Sequence, residues 1–327
     1  MSQEATTVLG YRTTVVISGH LEPRRVLLTG AGGFIGRHTL RPLLAGGFEV
    51  HAITSSKPPR GAPAEVQWHR GDLLEPGFAD DLVGEVRPSH LLHLAWHLAP
   101  PGHVTAAINF DWVHASIRLV RAFCNVGGTR VLLTGTCAEY SPGPSVHCVE
   151  DVTPTCPRTV YGAAKHGLHL MMAAWAEQAG VELAWGRVFN VYGPYEHPGS
   201  LLGTLVRGLL SGEEVPTSDG RQVRDYTYVA EVASALVALL SSDAVGSFNL
   251  ASGIPVRVAE IISTAAAEIG HPELVNMGAQ PWRPGEPERL TAEVRRIRQS
   301  TGWRPSIGLH EGIAMTVAWW KGLQTPS

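Results

Sequence analysis

The sequence predicts an α/β fold built on a doubly wound parallel sheet, and two patterns in the first half of the chain carry this prediction. Short apolar runs, such as Val26–Leu28 and Val131–Thr134, have the length and composition of buried strands. They alternate with longer segments of helical periodicity, among them Phe78–Val86 and Val104–Val126. Strands that alternate with helices of this length are typical of parallel sheets whose helices cover both faces.

Composition narrows the class of protein before any motif is considered. The chain has 327 residues, of which 44% are hydrophobic, and its formal net charge is −3. This length suits one large domain or two intermingled ones. The balanced charge gives no reason to expect a nucleic acid or an anionic membrane as a partner, and no apolar run reaches membrane-spanning length. The four cysteines lack metal-ligand spacing, which favours a cytoplasmic protein without a metal site.

The segment Arg25–Leu44 predicts a dinucleotide-binding loop, because a buried strand is followed by clustered glycines and then by a helix. Glycines allow a tight turn and a close approach of the backbone to a pyrophosphate, and the helix start adds free N–H groups. An ordinary glycine-rich turn is the alternative, since the spacing differs from the common G-x-G-x-x-G; the flanking strand and helix favour the cofactor. The residues assigned to the cofactor here are Gly30, Gly33, Phe34, Ile35, Gly36 and Arg37.

The end of the second predicted strand, Phe48–Thr54, bears on the choice of nicotinamide cofactor. Many NAD-binding folds place an acidic residue here to hold the ribose hydroxyls. This chain has Ser55 and Ser56 instead, with two basic residues shortly beyond, and Arg37 directly follows the glycine loop. Small hydroxyls and cations suit a 2′-phosphate, so NADP(H) is favoured and NAD(H) stays possible. A solvated basic loop is the other interpretation.

Two further strand ends complete the predicted cofactor site. Asp72 and Leu73 follow the third predicted strand, where an Asp can accept a hydrogen bond from an adenine amino group or cap the next helix. Leu94 and Ala95 end the fourth strand, where a small side chain lets the cofactor lie close. Ligands of such sheets bind at the carboxyl ends of the strands, so all four residues are assigned to the cofactor.

Three residues further along the chain have the chemistry of a hydride-transfer site. Thr136 follows the fifth strand, and Tyr161 and Lys165 are four residues apart on one face of a helix beginning near Arg158. A tyrosine hydroxyl normally ionises near pH ~10, and a neighbouring ammonium favours the phenolate. We therefore expect Tyr161 to act as general acid or base, Lys165 to lower its pKa, and Thr136 to hold the substrate oxygen. A chance Tyr–Lys pair is the alternative, and the preceding dinucleotide loop argues against it.

These pieces and several later ones resemble the extended short-chain dehydrogenase/reductase family, in its nucleotide-sugar epimerase/dehydratase/4-ketoreductase branch. The matching segments, in chain order, are GAGGFIG at 30–36, GDL at 71–73, HLAW at 93–96, YGAAK at 161–165, RVFNVYGP at 187–194, RDYTYVAEVASAL at 224–236 and RPGEPERL at 283–290. The resemblance covers nearly all of the chain from Arg25 to Leu323. It implies a Rossmann-type sheet with a smaller interleaved α/β substrate domain.

The resemblance also implies roles for individual residues. Thr136, Tyr161 and Lys165 match the family's hydride-transfer site, in which the last two also contact the cofactor. Asn190, Arg224 and Arg283 match residues that hold the nucleotide-sugar, and the planar fork of arginine suits its diphosphate. An ion pair with a neighbouring acid such as Asp225 is the other interpretation of Arg224. Family members often pair through two helices, which here include Val104–Val126 and Arg158–Gln178, so a homodimer is expected.

The order of elements predicts two interleaved domains after a loosely ordered leader at 1–24. Residues 25–190 with about 226–253 are expected to form the NAD(P)-binding domain. Residues about 191–225 with 254–323 are expected to form the nucleotide-sugar domain, in which Gly220–Asp225 is predicted to be a loop over the diphosphate.

Departures from the family's pattern bear on the reaction. Dehydratases of the family carry a Thr-Asp-Glu run after the fifth strand, whereas this chain has Cys137 and Ala138 at the last two positions, which do not supply that acid and base at neutral pH. Glu139 is offset by one residue, and strand alternation predicts that it faces away. Epimerisation by deprotonation would need a Cys or His pair, which Cys137 and one of the histidines at 97, 103 or 197 could form only if the fold brings them together.

The segment GTCAEY, in these NADP-like surroundings, resembles the 4-ketoreductases that finish deoxysugar nucleotides. We therefore expect an NADP(H)-dependent reductase of a nucleotide-linked 4-keto-6-deoxy sugar, in which Tyr161 donates the proton. The main alternative is a nucleotide-sugar 4-epimerase with tightly bound NAD. The alternative from another class is a non-catalytic, dinucleotide-binding redox sensor, against which the retained Thr136, Tyr161 and Lys165 argue.

Overall fold

The computed structural model describes residues 24–98, 102–141, 147–282 and 285–324. The strands in these ranges are β1 (Arg25–Thr29), β2 (Glu49–Thr54), β3 (Gln67–Arg70), β4 (His90–His93), β5 (Arg130–Thr136), β6 (Glu182–Val188), β7 (Asn190–Tyr192), β8 (Val215–Thr217), β9 (Val223–Tyr228), β10 (Gly246–Leu250), β11 (Pro255–Arg257), β12 (Val275–Met277) and β13 (Arg289–Leu290). The helices are α1 (Gly36–Ala45), α2 (Phe78–Val86), α3 (Ile108–Asn125), α4 (Val160–Ala179), α5 (Leu201–Leu210), α6 (Val229–Ser241), α7 (Val258–Ile269), α8 (Arg295–Thr301) and α9 (Leu309–Gln324).

The central sheet contains seven parallel strands in the order β10-β6-β5-β4-β1-β2-β3. Strand β1 pairs with β2 on one side and with β4 on the other, so the strand order reverses between β1 and β4. This arrangement confirms the predicted Rossmann-type, doubly wound sheet. Because the order reverses there, a crevice opens at the carboxyl ends of β1 and β4, where ligands of such sheets bind.

Both faces of the sheet are buried, which explains why its strands are continuous apolar runs. Val26 and Leu28 of β1 point into a core shared with α1 and α6, while Leu27 between them points into a second core. Helices α2, α3 and α4 line that second core, and α4 contributes Leu168 and Met172 to it. The face of α4 that packs on the sheet therefore fixes the direction in which its first turn points.

A third core lies among α5, α7 and α9. Beside it, β9 pairs with β11, β13 and β7 in a small sheet, and β8 pairs with β12. These elements form the smaller α/β region that the sequence predicts. Its first part, from β7 to β9, is inserted in the chain between β6 and β10, and the rest follows β10. The residue limits of the two domains remain a prediction.

The predicted loop over Gly220–Asp225 is wrong for its second half, because β9 begins at Val223. The Tyr-Thr-Tyr run that follows Asp225 has the composition of a strand, and β9 includes it. The Asp225 carboxylate does not destabilise the strand, since it accepts hydrogen bonds from Ser252 N and Gly253 N, both at 2.9 Å.

The helix expected from Val104 begins at Ile108 instead. The Asn109 side chain donates hydrogen bonds to the carbonyls of His103 and Ala106, both at 2.8 Å, and so ties the preceding residues into a turn. The predicted leader lies outside the described residues except for Arg24, and so does the predicted substrate residue Arg283. In the part of the chain that the structure describes, no helix is long and apolar enough to cross a bilayer.

Candidate active site

A cleft of about 480 Å³ lies over the carboxyl ends of β1, β2 and β4. Its lining includes these residues predicted for the cofactor: Gly30, Gly33, Ser55, Ser56, Asp72, Leu73 and Ala95. Ile108 and Trp112 of α3 also line it, and sequence analysis missed both because helical periodicity alone does not show which turn faces a cleft. The side chains of Ile35 and Leu94 pack against the first core, so their contact with a cofactor would come from the backbone.

The glycine loop is shaped so that backbone, and no side chain, faces this cleft. Gly30 has φ +69°, and a β-carbon on it would lie 2.8 Å from Ala95 N. A β-carbon on Gly36 would collide with the Gly30 carbonyl oxygen. These two glycines therefore allow β1, β4 and the start of α1 to converge, which is the cradle that a dinucleotide pyrophosphate requires.

The β2 side of the cleft is lined by hydroxyl groups and one nearby cation. Thr54 Oγ1 accepts a hydrogen bond from Ser56 N at 3.3 Å, and Ser55 and Ser56 are exposed. Arg37 Nη2 donates to the Gly32 carbonyl at 2.7 Å, and its guanidinium carbon lies 3.8 Å from the ring centroid of Tyr195. Arg37 is thus held against Gly32, which lines the cleft near Thr54.

Asp72 is the acidic residue among those that line the cleft. Its Oδ1 accepts a hydrogen bond from Leu74 N at 2.9 Å. It does not cap α2, whose N-cap residue is Gly77, so that part of the interpretation is wrong. The Asp72 carboxylate instead stabilises the turn after β3, at the edge of the cleft.

Thr136, Tyr161 and Lys165 come together beside Trp96, the residue that follows Ala95 of the cleft lining. Tyr161 stands in the first turn of α4, where its hydroxyl lies near the Thr136 side chain. Lys165 Nζ donates to the Thr134 carbonyl at 2.8 Å and lies 3.7 Å from the ring centroid of Trp96. The motifs predicted that these three residues share a site. The Trp96 indole has no such signal in the sequence, because only the folded chain brings Trp96 from the end of β4 against Lys165 of α4.

Burial, and not the Lys165 ammonium, controls the ionisation of the Tyr161 hydroxyl. Burial raises the pKa of the Tyr161 hydroxyl well above its usual value, while the neighbouring Thr136 side chain only partly opposes this. The expected lowering of the Tyr161 pKa by Lys165 is wrong, since the Lys165 ammonium is directed at Thr134 and Trp96. Tyr161 is therefore protonated at neutral pH, which is the form that a proton donor needs.

The sequence model of the NAD dependent epimerase/dehydratase family matches residues 26–251. The chain belongs to that family. This confirms the family predicted from the motifs, and it places the glycine loop, the β5 end and the Tyr-x-x-x-Lys helix inside the matched segment.

Relatives of the chain in the epimerase/dehydratase family carry the names of several reactions. The chain is 27% identical over 314 residues to UDP-glucuronic acid decarboxylase 1 of Xenopus tropicalis, with 91% of this chain and 72% of the relative covered. A Thermus thermophilus UDP-glucose 4-epimerase structure in complex with NAD has a TM-score of 0.82 and 28% identity, covering 91% of this chain and 99% of that one. TunA, an NAD dependent NDP-hexosamine 5,6-dehydratase involved in tunicamycin biosynthesis, has a TM-score of 0.79 and 31% identity, covering 91% and 98%.

The β5 end is where reactions of the epimerase/dehydratase family are expected to diverge. Burial raises the pKa of the Cys137 thiol to about 12, so it is uncharged at neutral pH. Glu139 lies in a 3-10 turn, Cys137–Glu139, and not on the strand, and it forms an ion pair with Arg187 at 2.8 Å. Among the described residues of this turn, no ionised group is directed at Tyr161.

The predicted substrate residues lie on neighbouring strands of the smaller region. Asn190 on β7 donates to the Asp225 carbonyl at 3.2 Å. Arg224 on β9 is buried and pairs with Glu286 at 2.7 Å, and not with Asp225. The interpretation of Arg224 as one member of an ion pair thus holds, with Glu286 as its partner, and a diphosphate would have to compete with Glu286 for the guanidinium.

One cluster of possible metal ligands occurs among the described residues, and it is not suited to a metal. Ligand atoms of Glu139, His166 and His169 lie within 4.8 Å of one another. The Arg187 guanidinium lies among them and donates to Glu139 at 2.8 Å and to His169 Nδ1 at 3.4 Å. Because Arg187 already supplies the positive charge, the cluster is a polar network behind β5.

We expect Lys165→Met to stabilise the protein near neutral pH, because burial lowers the pKa of Lys165 from 10.5 to about 7. Below pH 7 the folded wild type carries the full cost of a buried ammonium. Between pH 7 and 10.5 the folded lysine is neutral while the unfolded one is still protonated, so wild-type stability rises with pH. Chemical denaturation should give the variant a larger free energy of unfolding than the wild type at pH 7, and the difference should be smaller at pH 10. A wild type more stable at both values would contradict the expectation.

Proposed function

We propose that the protein is an NADP(H)-dependent reductase of a nucleotide-linked 4-keto-6-deoxy sugar. The observation that carries this proposal is the chemistry around Tyr161: one protonated hydroxyl beside Thr136 and Lys165, next to a turn whose thiol is uncharged and whose carboxylate is paired with Arg187. Ketone reduction needs one proton donor besides the hydride. Dehydration needs a further acid and base, which the turn does not offer.

The proposed roles follow from the positions of the side chains. NADPH, when bound along the glycine loop, supplies the hydride for the sugar ketone. Tyr161 donates its proton to the oxygen that becomes the new hydroxyl, and Thr136 orients that oxygen by hydrogen bonding. Lys165 holds the nicotinamide ribose and offsets the negative charge left on Tyr161. Asn190 and Arg224, with Arg283 predicted from the family's motif, would hold the diphosphate.

The preference for NADP(H) rests on the β2 side of the cleft. Ser55 and Ser56 stand where a carboxylate would repel a 2′-phosphate, and Arg37 is held nearby by the glycine loop. The solved relatives named above are described with NAD, so this preference would distinguish the protein from them.

A nucleotide-sugar 4-epimerase is the second candidate, because the same Thr-Tyr-Lys group serves it and a 4-epimerase is among the similar structures. Such an enzyme would keep NAD tightly bound and let the sugar rotate between two hydride transfers. It would need no net supply of NADPH, which separates the two candidates experimentally.

The deciding experiment is single-turnover mixing of the purified protein with NADPH and a panel of nucleotide-linked 4-keto-6-deoxy sugars. Stoichiometric loss of the reduced-nicotinamide absorbance with one sugar would support the reductase. If no keto sugar oxidises NADPH, while NAD co-purifies and a pair of 4-hydroxy sugars equilibrates, the protein is the epimerase.

We also propose a homodimer that forms through α3 and α4. Large apolar side chains on these helices are exposed, namely Phe110 at 65%, Leu170 at 56% and Met171 at 46%. Exposed apolar side chains on both helices favour these helices as the interface. Light scattering coupled to size exclusion should give the mass of two chains.

A further inference from the structure

The Glu139 carboxylate is buried directly behind the proposed active site. It is fully shielded from solvent and accepts hydrogen bonds from Thr136 N at 2.9 Å, Trp185 Nε1 at 3.0 Å and Arg187 Nε at 2.8 Å. A buried carboxylate is costly unless its charge and its hydrogen-bonding capacity are both compensated, and here both are. No step of the proposed reduction uses this carboxylate.

This carboxylate fixes the turn that follows Thr136. The Thr136 hydroxyl accepts a hydrogen bond from Ala138 N at 3.2 Å, while Glu139 accepts one from Thr136 N, so the two side chains cap the turn reciprocally. The backbone and the hydroxyl of Thr136 are therefore restrained by the same turn. Its hydroxyl is the group proposed to orient the substrate ketone.

The same turn also supports the helix that carries Tyr161. Gly162, the next residue on α4, packs so closely on the turn that a β-carbon there would lie 2.6 Å from the Ala138 carbonyl oxygen. Any displacement of the turn would consequently move Thr136 and the first turn of α4 relative to each other. The approach of the Tyr161 hydroxyl to the Thr136 side chain depends on that spacing.

Gly135 provides the space that this arrangement needs. A β-carbon on Gly135 would collide with Trp185 Nε1 and with a carboxylate oxygen of Glu139. A glycine inside a strand weakens the strand, and it is typical of places where another group approaches the backbone closely. Here Glu139 and Trp185 occupy the space that a side chain at residue 135 would fill. Arg187 of β6 then donates a hydrogen bond to the Glu139 carboxylate.

We propose that Glu139 is the positioning residue of the active site, and that it sets the distance between the Thr136 and Tyr161 hydroxyls through its hydrogen bond with the Thr136 amide. The expected effect of Glu139 on catalysis rests on the proposed function. Its effect on the position of the turn rests only on the hydrogen bonds and contacts described above. Glu139 acts through Thr136 and does not touch substrate.

The test compares two double variants that differ only at residue 139, in whether an acceptor for the Thr136 amide and the Trp185 indole N–H is kept. Glu139→Val with Arg187→Met removes both charges and the acceptor, whereas Glu139→Gln with Arg187→Met removes both charges and keeps an amide oxygen. Removing both partners avoids the uncompensated buried charge that a single substitution would leave. The matched control is Glu231→Val, since Glu231 is a buried carboxylate of α6 that accepts from Ser306 N and Ile307 N, away from this site.

The first readout is steady-state reduction of the keto sugar that the wild type accepts. We expect kcat of E139V/R187M to fall about ten- to a hundredfold below that of E139Q/R187M, because a small misplacement of a reacting group has an effect of this size. The dissociation constant for NADPH should stay unchanged. E231V should keep the wild-type kcat. Equal kcat in the two double variants would overturn the proposal.

The second readout needs no substrate. Hydrogen–deuterium exchange of peptides covering residues 134–141 should quicken in E139V/R187M, and it should stay slow in E139Q/R187M and E231V. If the wild type reduces none of the keto sugars, the proposed function fails, and the exchange comparison alone decides whether Glu139 positions the turn. Equal exchange in the two double variants would overturn the positioning itself.

Discussion

Replacing Tyr161 by phenylalanine should nearly abolish ketone reduction and leave NADPH binding intact. The phenol is the proposed proton donor, and a positioned general acid contributes about 10²–10⁴-fold to such a step. The ring itself, which packs edge-on against Trp96 and His103, is kept in the variant. We therefore expect kcat to fall by that factor, measured by single-turnover oxidation of NADPH, while the NADPH dissociation constant changes little.

Tyr140→Phe is the matched control for this substitution. Tyr140 is a second buried tyrosine close to β5, but its hydroxyl donates to Asn249 Oδ1 at 2.8 Å and accepts from Arg187 Nη1 at 3.0 Å. Its loss should lower stability and spare the chemical step. A Tyr161→Phe protein with wild-type turnover would contradict the reductase mechanism. A Tyr161→Phe protein that keeps its function in the cell although it no longer turns over a substrate would favour the redox sensor.

Replacing Arg37 by alanine should remove the preference for NADPH over NADH. Two of the five N–H groups of a guanidinium are used by the carbonyls of Gly32 and Gly33 here, which leaves donors for a 2′-phosphate. A charge-assisted hydrogen bond is worth about 1.5–3 kcal/mol, so NADPH should bind roughly ten- to a hundredfold more weakly. NADH lacks the phosphate, and its dissociation constant should stay within about twofold. Fluorescence titration of both cofactors measures this difference without any turnover.

Arg41→Ala provides the control for that titration. Arg41 is an exposed cation one turn further along α1, away from the glycine loop carbonyls. It should leave both dissociation constants unchanged. Equal weakening of NADPH and NADH by Arg37→Ala would contradict a 2′-phosphate contact and assign Arg37 to holding the loop alone.

Local patterns in the sequence correctly predicted the helices and strands whose apolar residues recur with a clear period. Helix α2 spans the predicted residues Phe78–Val86, and the parallel sheet follows from the alternation of strands and helices. The strand–glycine–helix order identified the cleft, and the i, i+4 spacing of Tyr161 and Lys165 put both on one helix face.

Features that arise between distant segments escaped the sequence analysis. Trp96 lies over Lys165 only because β4 and α4 meet in the fold. The network around Glu139 joins β5 to Trp185 and Arg187 of β6, and no local period encodes it. Burial of Tyr161 likewise follows from tertiary packing, which is why the direction of its pKa shift was predicted wrongly from its neighbour on the helix.

The position of β10 at the edge of the central sheet constrains how the chain is assembled. Gly246 of β10 pairs with Ala184 of β6, and the entire β7–β9 region is synthesised between them. Until β10 emerges from the ribosome, β6 presents an apolar strand with an unpaired backbone edge, which is a template for aggregation. A shortened chain that ends before Gly246 would keep that edge permanently open. The two halves of this chain therefore cannot be separated by simple truncation.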